Sequence, residues 1–313
     1  MKTPHDPVRR RIIAAGAASA LGSSLPGLSL AAAATEEPLK TRPIPVSGEA
    51  LPIVGIGTAV IFDFENDAAK FAERRQVIQT QIAGGSRLVD TAHSYGKAED
   101  RVGELVADLG VRDKLFLATK FSYGNSREAA TESMQNSLRR LKTKNVDLMQ
   151  AWNVAEPNYD LGLLREWKRQ GICRYTGMTI SQTRSYDAIG KVLAREKPDF
   201  FQVNYSLGDR EAEERLLPTA RDAGAAVLIN LPFGRNSLFK KSAGKPLPDF
   251  AAEIGATSWA QIFLKFILSH PAVTAVIPGT DKPEYMIDNL KAGRGVMPDA
   301  AMRQRMIKYW DSL

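Results

Sequence analysis

From residue 51 onward the chain repeats one unit eight times: a short apolar run, a polar loop, then an amphipathic stretch. The apolar runs fall at 51–59, 87–91, 115–120, 146–153, 174–179, 200–205, 226–231 and 273–278. Helical patterns follow at 68–83, 99–109, 127–141, 161–169, 182–195, 211–223, 258–268 and 283–292. Gly84-Gly85, Gly110, Gly171 and Gly224 stand just past four of these, where a left-handed residue ends a helix at low cost. The runs are nearly continuous in apolar residues, as strands buried on both faces should be. Eight such units with no second pattern predict a closed (β/α)8 TIM barrel of parallel strands. The rival is a doubly wound open sheet, which usually opens its first helix with G-x-G-x-x-G. The first run carries Gly55 and Gly57 but no third glycine at that spacing. An insert at 233–257 interrupts the seventh unit, and long barrel loops often serve as lids or binding loops. Residues 298–311 read as a last helix outside the barrel.

Composition excludes other classes. A chain of 313 residues with 44% hydrophobic and 25% charged residues is neither disordered nor collagen-like. Its one cysteine, Cys173, forms no intrachain disulfide, so an oxidising compartment is allowed but not indicated. Net charge is +7, and part of it sits in the first eleven residues. What is left is a weak basic bias, and no nucleic-acid partner is expected.

That basic start belongs to a distinct segment. Arg9-Arg10-Arg11 precede residues 12–34, which carry no charge and end in four alanines, Ala31 to Ala34. A charged start, an apolar middle and a small-residue site predict an export signal at 1–34, cleaved near Ala34. The paired arginines followed by Ile12-Ile13 resemble the twin-arginine class, which implies the twin-arginine export machinery as a partner and a periplasmic destination. The alternative is a membrane anchor, against which stand Gly16, Gly22, Pro26 and Gly27. Residues 35–313 would form the barrel, with no membrane contact in the mature form.

Chemistry in a barrel enzyme gathers where strands finish. The second run ends in Asp90-Thr91-Ala92-His93-Ser94-Tyr95-Gly96 and the third in Lys120. The fourth ends in Gln150-Ala151-Trp152-Asn153, the fifth in Gly177-Met178-Thr179 and the sixth in Gln202-Val203-Asn204-Tyr205-Ser206. A phenol with a reference pKa of about 10 is a poor acid near neutrality. A neighbouring ammonium favours the phenolate, and a carboxylate beyond it keeps the ammonium charged and in place. Tyr95, Lys120 and Asp90 therefore make a usable proton donor for a carbonyl oxygen. The alternative is a structural ion pair beside an unrelated loop tyrosine.

Together the motifs are more specific. Asp90-Thr91-Ala92-x-x-Tyr95-Gly96 with Ala98-Glu99-x-x-x-Gly103 resembles the signature of the aldo-keto reductases. Ala118-Thr119-Lys120, Val146 to Gln150, Phe201 to Ser206 and Val276 to Thr280 resemble it too, in the expected order. The resemblance spans about 50 to 293. It implies NADP bound across the strand ends, no metal, and hydride transfer to a small aldehyde or ketone. It implies Tyr95 as proton donor with Lys120 and Asp90 as partners. It brings Thr179 and Gln202 near the nicotinamide, with Asn230 where many members have a ring-stacking tyrosine. Gly57, Thr58, Asn153 and the run Leu231, Pro232, Phe233, Gly234 and Arg235 join the cofactor set. Gly279 and Thr280 would hold the adenosine phosphates, and Asn289 the adenine. Lys282 and Arg235 are the cations offered to a 2′-phosphate, which favours NADP over NAD.

One departure stands out. The family's fourth catalytic residue is a histidine, and the matching position is Trp152. Tryptophan donates one hydrogen bond, never accepts and does not titrate. Either the indole N–H polarises the carbonyl and slow reduction survives, or the ring fills the pocket and a catalytically weakened NADP-binding or interaction protein remains. Altered chemistry, such as alkene reduction, is a third outcome. His93, two residues before Tyr95, is read either as a source of the missing imidazole or as a solvated loop residue. The substrate groove is expected to be lined by Val60, Ile61, Phe62, Phe64, Tyr123, Trp152, residues 154–159 and the loop 233–250, and to be rather open.

Overall fold

The computed structural model describes residues 37–123, 126–154, 159 and 161–313. The export segment 1–34 and groove residues 155–158 lie outside them. The described chain begins with a hairpin, β1 (Thr41–Pro43) and β2 (Ala50–Pro52), paired antiparallel. Then come β3 (Ile56–Gly57), α1 (Ala68–Ala83), β4 (Leu88–Asp90), α2 (Ala98–Leu109), β5 (Phe116–Phe121) and α3 (Arg127–Arg140). They are followed by β6 (Val146–Ala151), α4 (Gly162–Arg169), β7 (Cys173–Ile180), α5 (Tyr186–Glu196), β8 (Phe200–Asn204) and α6 (Leu216–Asp222). The last part holds β9 (Ala226–Asn230), α7 (Ser237–Ser242), α8 (Phe250–Glu253), α9 (Trp259–Leu268), β10 (Ala275–Val276), α10 (Pro283–Ala292) and α11 (Ala300–Ser312).

Strands β3 to β10 form one parallel sheet in chain order. Bridges Val54 to Val276 and Gly57 to Gly279 join its first and last strands, so the sheet closes on itself. Closure leaves no edge to pair with another chain. The expected barrel is therefore the observed fold.

Local signals explain the helices. Asp67, Ser126, Ser258 and Asp299 each accept an N–H from the residue three positions on, starting α1, α3, α9 and α11. Two apolar cores result. One fills the space between strands and helices, from Val77 and Val102 to Phe266 and Trp310. The other lies inside the barrel and contains Leu88, Phe116, Ala118, Leu148, Tyr175, Phe200, Ala226, Leu228, Ala275 and Ile277. Burying a large apolar side chain is worth about 1.5–3 kcal/mol, so the inner core adds to the strand bridges that close the cylinder.

One expectation needs correction. The first apolar run is not one strand. Residues 50–52 pair with 41–43, and the hairpin sends Ile44 and Leu51 into the inner core. Glu49 between them accepts from Arg87 Nη2 at 2.8 Å and from the Tyr175 hydroxyl at 2.6 Å, which ties the hairpin to the barrel. The insert 233–257 carries α7 and α8, and Leu238, Phe250 and Ala251 are buried. Among the described residues, no helix is long and apolar enough to cross a membrane.

Candidate active site

Side chains alternate along a strand, so every second residue faces the barrel axis. The inner-core residues identify which ones: 88 in β4, 116 and 118 in β5, 148 in β6, 175 in β7, 200 in β8, 226 and 228 in β9. The next residues of the same parity, towards the strand ends, are Asp90, Lys120, Gln150, Thr179, Gln202, Asn204 and Asn230. The apolar filling thus gives way to a polar inward row. Lys120 stands in register with Gln150, Thr179 with Gln202, and Asn204 with Asn230.

The row is buried. Asp90 and Lys120 are each 2% exposed, Gln150 0% and Gln202 1%. Lys120 Nζ donates to Asp90 Oδ2 at 2.6 Å and to Thr91 O at 2.8 Å. Gln150 Nε2 donates to the other carboxylate oxygen at 3.2 Å. Burial by itself favours the neutral amine of Lys120. The Asp90 charge, and after it the Tyr95 phenol, outweigh burial and raise the ammonium above the ordinary lysine value. A permanent cation therefore sits at the centre of the row.

Tyr95 is brought to that cation by the turn after β4. Tyr95 N–H donates to Ala92 O at 3.1 Å, and Ala98 N–H donates to Tyr95 O at 2.9 Å. The half-buried ring lies with its centroid 5.0 Å from Lys120 Nζ. Gly96 follows with φ 52, and a Cβ there would lie 2.2 Å from Asp63 Oδ1. The same Asp63 oxygen accepts the Lys97 N–H at 2.9 Å, so the turn is clamped by the β3–α1 loop. On β7, a Cβ at Gly177 would lie 2.8 Å from Gln150 Cγ. Only glycine leaves room for the Gln150 side chain beneath Asp90.

Several buried amide atoms have no partner: Gln202 Oε1 and Nε2, Asn204 Oδ1, Asn230 Oδ1 and Gln150 Oε1. An unmet buried polar group costs about 1–3 kcal/mol. A cluster of them on neighbouring strand ends is a place for a ligand that offers N–H donors and a carbonyl acceptor.

The other sequence-derived residues divide into two groups. Leu231 (φ 50), Gly234 (φ 55) and Arg235 (φ 53) turn the chain sharply after β9, around Pro232, with Phe233 packed on Phe239. Gly279 is exposed, and Lys282 lies with Nζ 5.6 Å from the Tyr285 ring. Of four others, Thr58 and Asn289 are buried, and Gly57 and Asn153 are half-exposed. Gly57 packs against Ile277 O at the barrel seam. Thr58 is fully buried and donates to Asp90 O at 3.0 Å. Asn153 accepts from Ser181 N at 3.3 Å. Asn289 is 3% exposed and donates to Thr280 Oγ1 at 2.9 Å. These four brace the turns that face the site.

Phe62 and Phe64 do not line the groove. Phe62 is 0% exposed, and Phe64 packs between the Arg74 and Arg101 guanidiniums. His93 is half-buried against Trp152, not solvated. Trp152 is 38% exposed. Sequence reasoning assigned no role to Gln150 or Asn204, although inward parity alone would have singled both out. A cleft of about 430 Å³ elsewhere, lined by Glu213, His270, Asp299 and Arg303, contains none of the inward row.

Comparison with known proteins places the chain in a family. The profile of the aldo/keto reductase family matches residues 54–306. Methylglyoxal reductase YeaE of Escherichia coli is 28% identical over 249 residues, covering 76% of this chain and 84% of that protein. A Klebsiella pneumoniae aldo-keto reductase solved with NADPH superposes with a TM-score of 0.72 at 23% identity, covering 87% of this chain and 95% of the other. The thermostable aldo-keto reductase Tm1743, solved with the inhibitor epalrestat, gives a TM-score of 0.70 at 28% identity, over 86% and 98%.

Proposed function

Because this chain belongs to the aldo/keto reductase family, we propose that it is an NADP-dependent reductase of small aldehydes or ketones, with Tyr95 as proton donor. The observation that carries this reading is the buried Asp90–Lys120 pair beside a phenol that stays half-exposed. The Tyr95 hydroxyl gives its proton to the carbonyl oxygen. The negative charge left on the phenolate is met by the Lys120 ammonium, and Asp90, steadied by Gln150, keeps that ammonium in place. General-acid catalysis of this kind is worth about 10²–10⁴-fold.

The inward row fits a nicotinamide. A primary carboxamide offers two N–H donors and one acceptor, and Gln202, Asn204 and Asn230 present three unpartnered acceptors and one donor. Thr179 joins them from β7. The 231–235 turn, Gly279 and Thr280 would hold the phosphates, with Arg235 and Lys282 as cations for a 2′-phosphate. Gly57 and Asn153, half-exposed, would belong to that surface, and the buried Thr58 and Asn289 would support it from behind. Bound NADPH supplies the hydride. YeaE, a methylglyoxal reductase, supports a small carbonyl substrate, and the NADPH complex of the Klebsiella protein supports the dinucleotide.

The exposure of Trp152 favours catalysis over the second reading, a cofactor-binding barrel whose pocket the indole fills. A ring that filled the row would be buried with it. Export remains part of the proposal: Arg9 to Arg11 ahead of the uncharged 12–34 segment suit the twin-arginine route, which carries folded proteins. A chain loaded before export would take its cofactor to the periplasm.

The test is a titration of the purified protein with NADPH and NADH, followed by assay with methylglyoxal, benzaldehyde and an enone. Tight NADPH binding with turnover of an aldehyde supports the reading. Binding without turnover of any substrate overturns it in favour of the non-catalytic barrel.

A further inference from the structure

Two rings that the proton-donor assembly does not use meet at the barrel mouth. The β4–β5 ladder ends where Thr91 N–H donates to Ala118 O at 2.9 Å. Two residues further along β5, Lys120 O lies 3.3 Å from His93 Nδ1. A carbonyl can only accept, so in the neutral imidazole the proton sits on Nδ1 and Nε2 keeps its lone pair. The side chain thus continues the ladder in place of the backbone. On its other side the imidazole centroid is 5.3 Å from that of Trp152, with the planes at 88°. Trp152 N–H donates to Phe121 O at 3.0 Å, which fixes the main chain. Its indole N–H donates to no group among the described residues, and the ring is 38% exposed. Among the described residues the perpendicular imidazole is the ring contact that the indole makes.

We propose that His93 is the positioning residue for Trp152: anchored on Lys120 O, it holds the indole in one orientation beside the Tyr95 turn, as a fixed wall for the substrate. The proposal rests on the reductase reading for its kinetic consequence, but its structural part stands alone. Burial keeps His93 below the ordinary histidine range, with Glu99 opposing and Arg140 and Lys120 reinforcing the effect. The contact is thus between a neutral imidazole and the indole at neutral pH, and it changes character on acidification.

Trp152 is a suitable reporter. Of the four tryptophans, Trp167 and Trp310 are buried, and Trp259 is half-buried between Phe263 and Tyr309. A protonated imidazole in contact with indole quenches its emission by accepting an electron from the excited ring. The experiment is a fluorescence titration of the full-length protein from about pH 8 down to about pH 4.5, across the histidine range. It is repeated with His93→Ala and Trp152→Phe. The proposal expects a quenching step with its midpoint below 6.5, lost in both variants. With benzaldehyde, His93→Ala should raise KM by about tenfold while kcat stays within about threefold and NADPH affinity within about twofold. A step that persists in His93→Ala, no step in the wild type, or an unmoved KM overturns the proposal. If the wild type reduces no carbonyl at all, the reductase reading fails, and the emission titration still decides whether His93 holds Trp152.

Discussion

The ammonium of Lys120 lies 2.6 Å from Oδ2 of Asp90, and both side chains are 2% exposed. Two charges taken out of water repay their desolvation only while each has the other. Asp90 also spends its second oxygen on Gln150. The pair is therefore both the support of the proton donor and a point of vulnerability in the fold.

Replacing Asp90 with Asn leaves the cation buried without a counter-charge. The expected loss is about 3–5 kcal/mol in urea unfolding at neutral pH. Lys120→Met in the Asp90→Asn background should recover part of it. The folded-state value of Lys120 is raised above 10.5, so its contribution is fully present below that pH and is lost as pH climbs through the raised value. In Asp90→Asn burial acts on Lys120 without that opposing charge, as at Lys265, so the deficit should already narrow as pH rises towards 10.5 and go on narrowing above it.

Lys265 behaves in the opposite sense. It is 1% exposed, donates to Arg294 O at 2.7 Å and Val296 O at 2.9 Å, and is pushed down to about 8, by burial first and by Lys40 next. Between pH 8 and 10.5 the unfolded chain holds a proton that the folded chain lacks. Stability therefore rises with pH across that window. Measured against Lys265→Met, the wild type should gain up to roughly 3 kcal/mol over it and show a constant difference below it.

Gly177→Ala tests the inner packing. The new Cβ would lie 2.8 Å from Gln150 Cγ, 3.0 Å from Leu148 Cδ1 and 3.4 Å from Phe200 Cβ. Overpacking of this kind costs about 1–3 kcal/mol, read as a lowered Tm. Because Gln150 must shift, the variant should also lose turnover beyond what its stability explains.

Much of this architecture was legible from the chain alone. The helical pattern at 68–83 coincides with α1, because Asp67 caps its start and Gly84 its end. Asp90, Tyr95 and Lys120 were legible because each follows an apolar run that the barrel must bury. The hairpin was not. Leu51 reads as strand in either setting, and only the antiparallel pairing with 41–43 distinguishes a barrel floor from a barrel wall. Phe62 and Phe64 misled for a related reason: a loop phenylalanine is buried by what packs on it, which for Phe64 includes Arg74 from α1 and Arg101 from α2, while Phe62 joins the outer core. His93 gave no local signal either, since its partners are a carbonyl on β5 and a ring after β6.

The most direct test of the whole account is the rate of NADPH-dependent aldehyde reduction by Tyr95→Phe beside the wild type, with NADPH affinity measured on both. The account predicts a fall in kcat/KM of about 10²–10⁴-fold with NADPH affinity unchanged. A variant that reduces the aldehyde at the wild-type rate would contradict it.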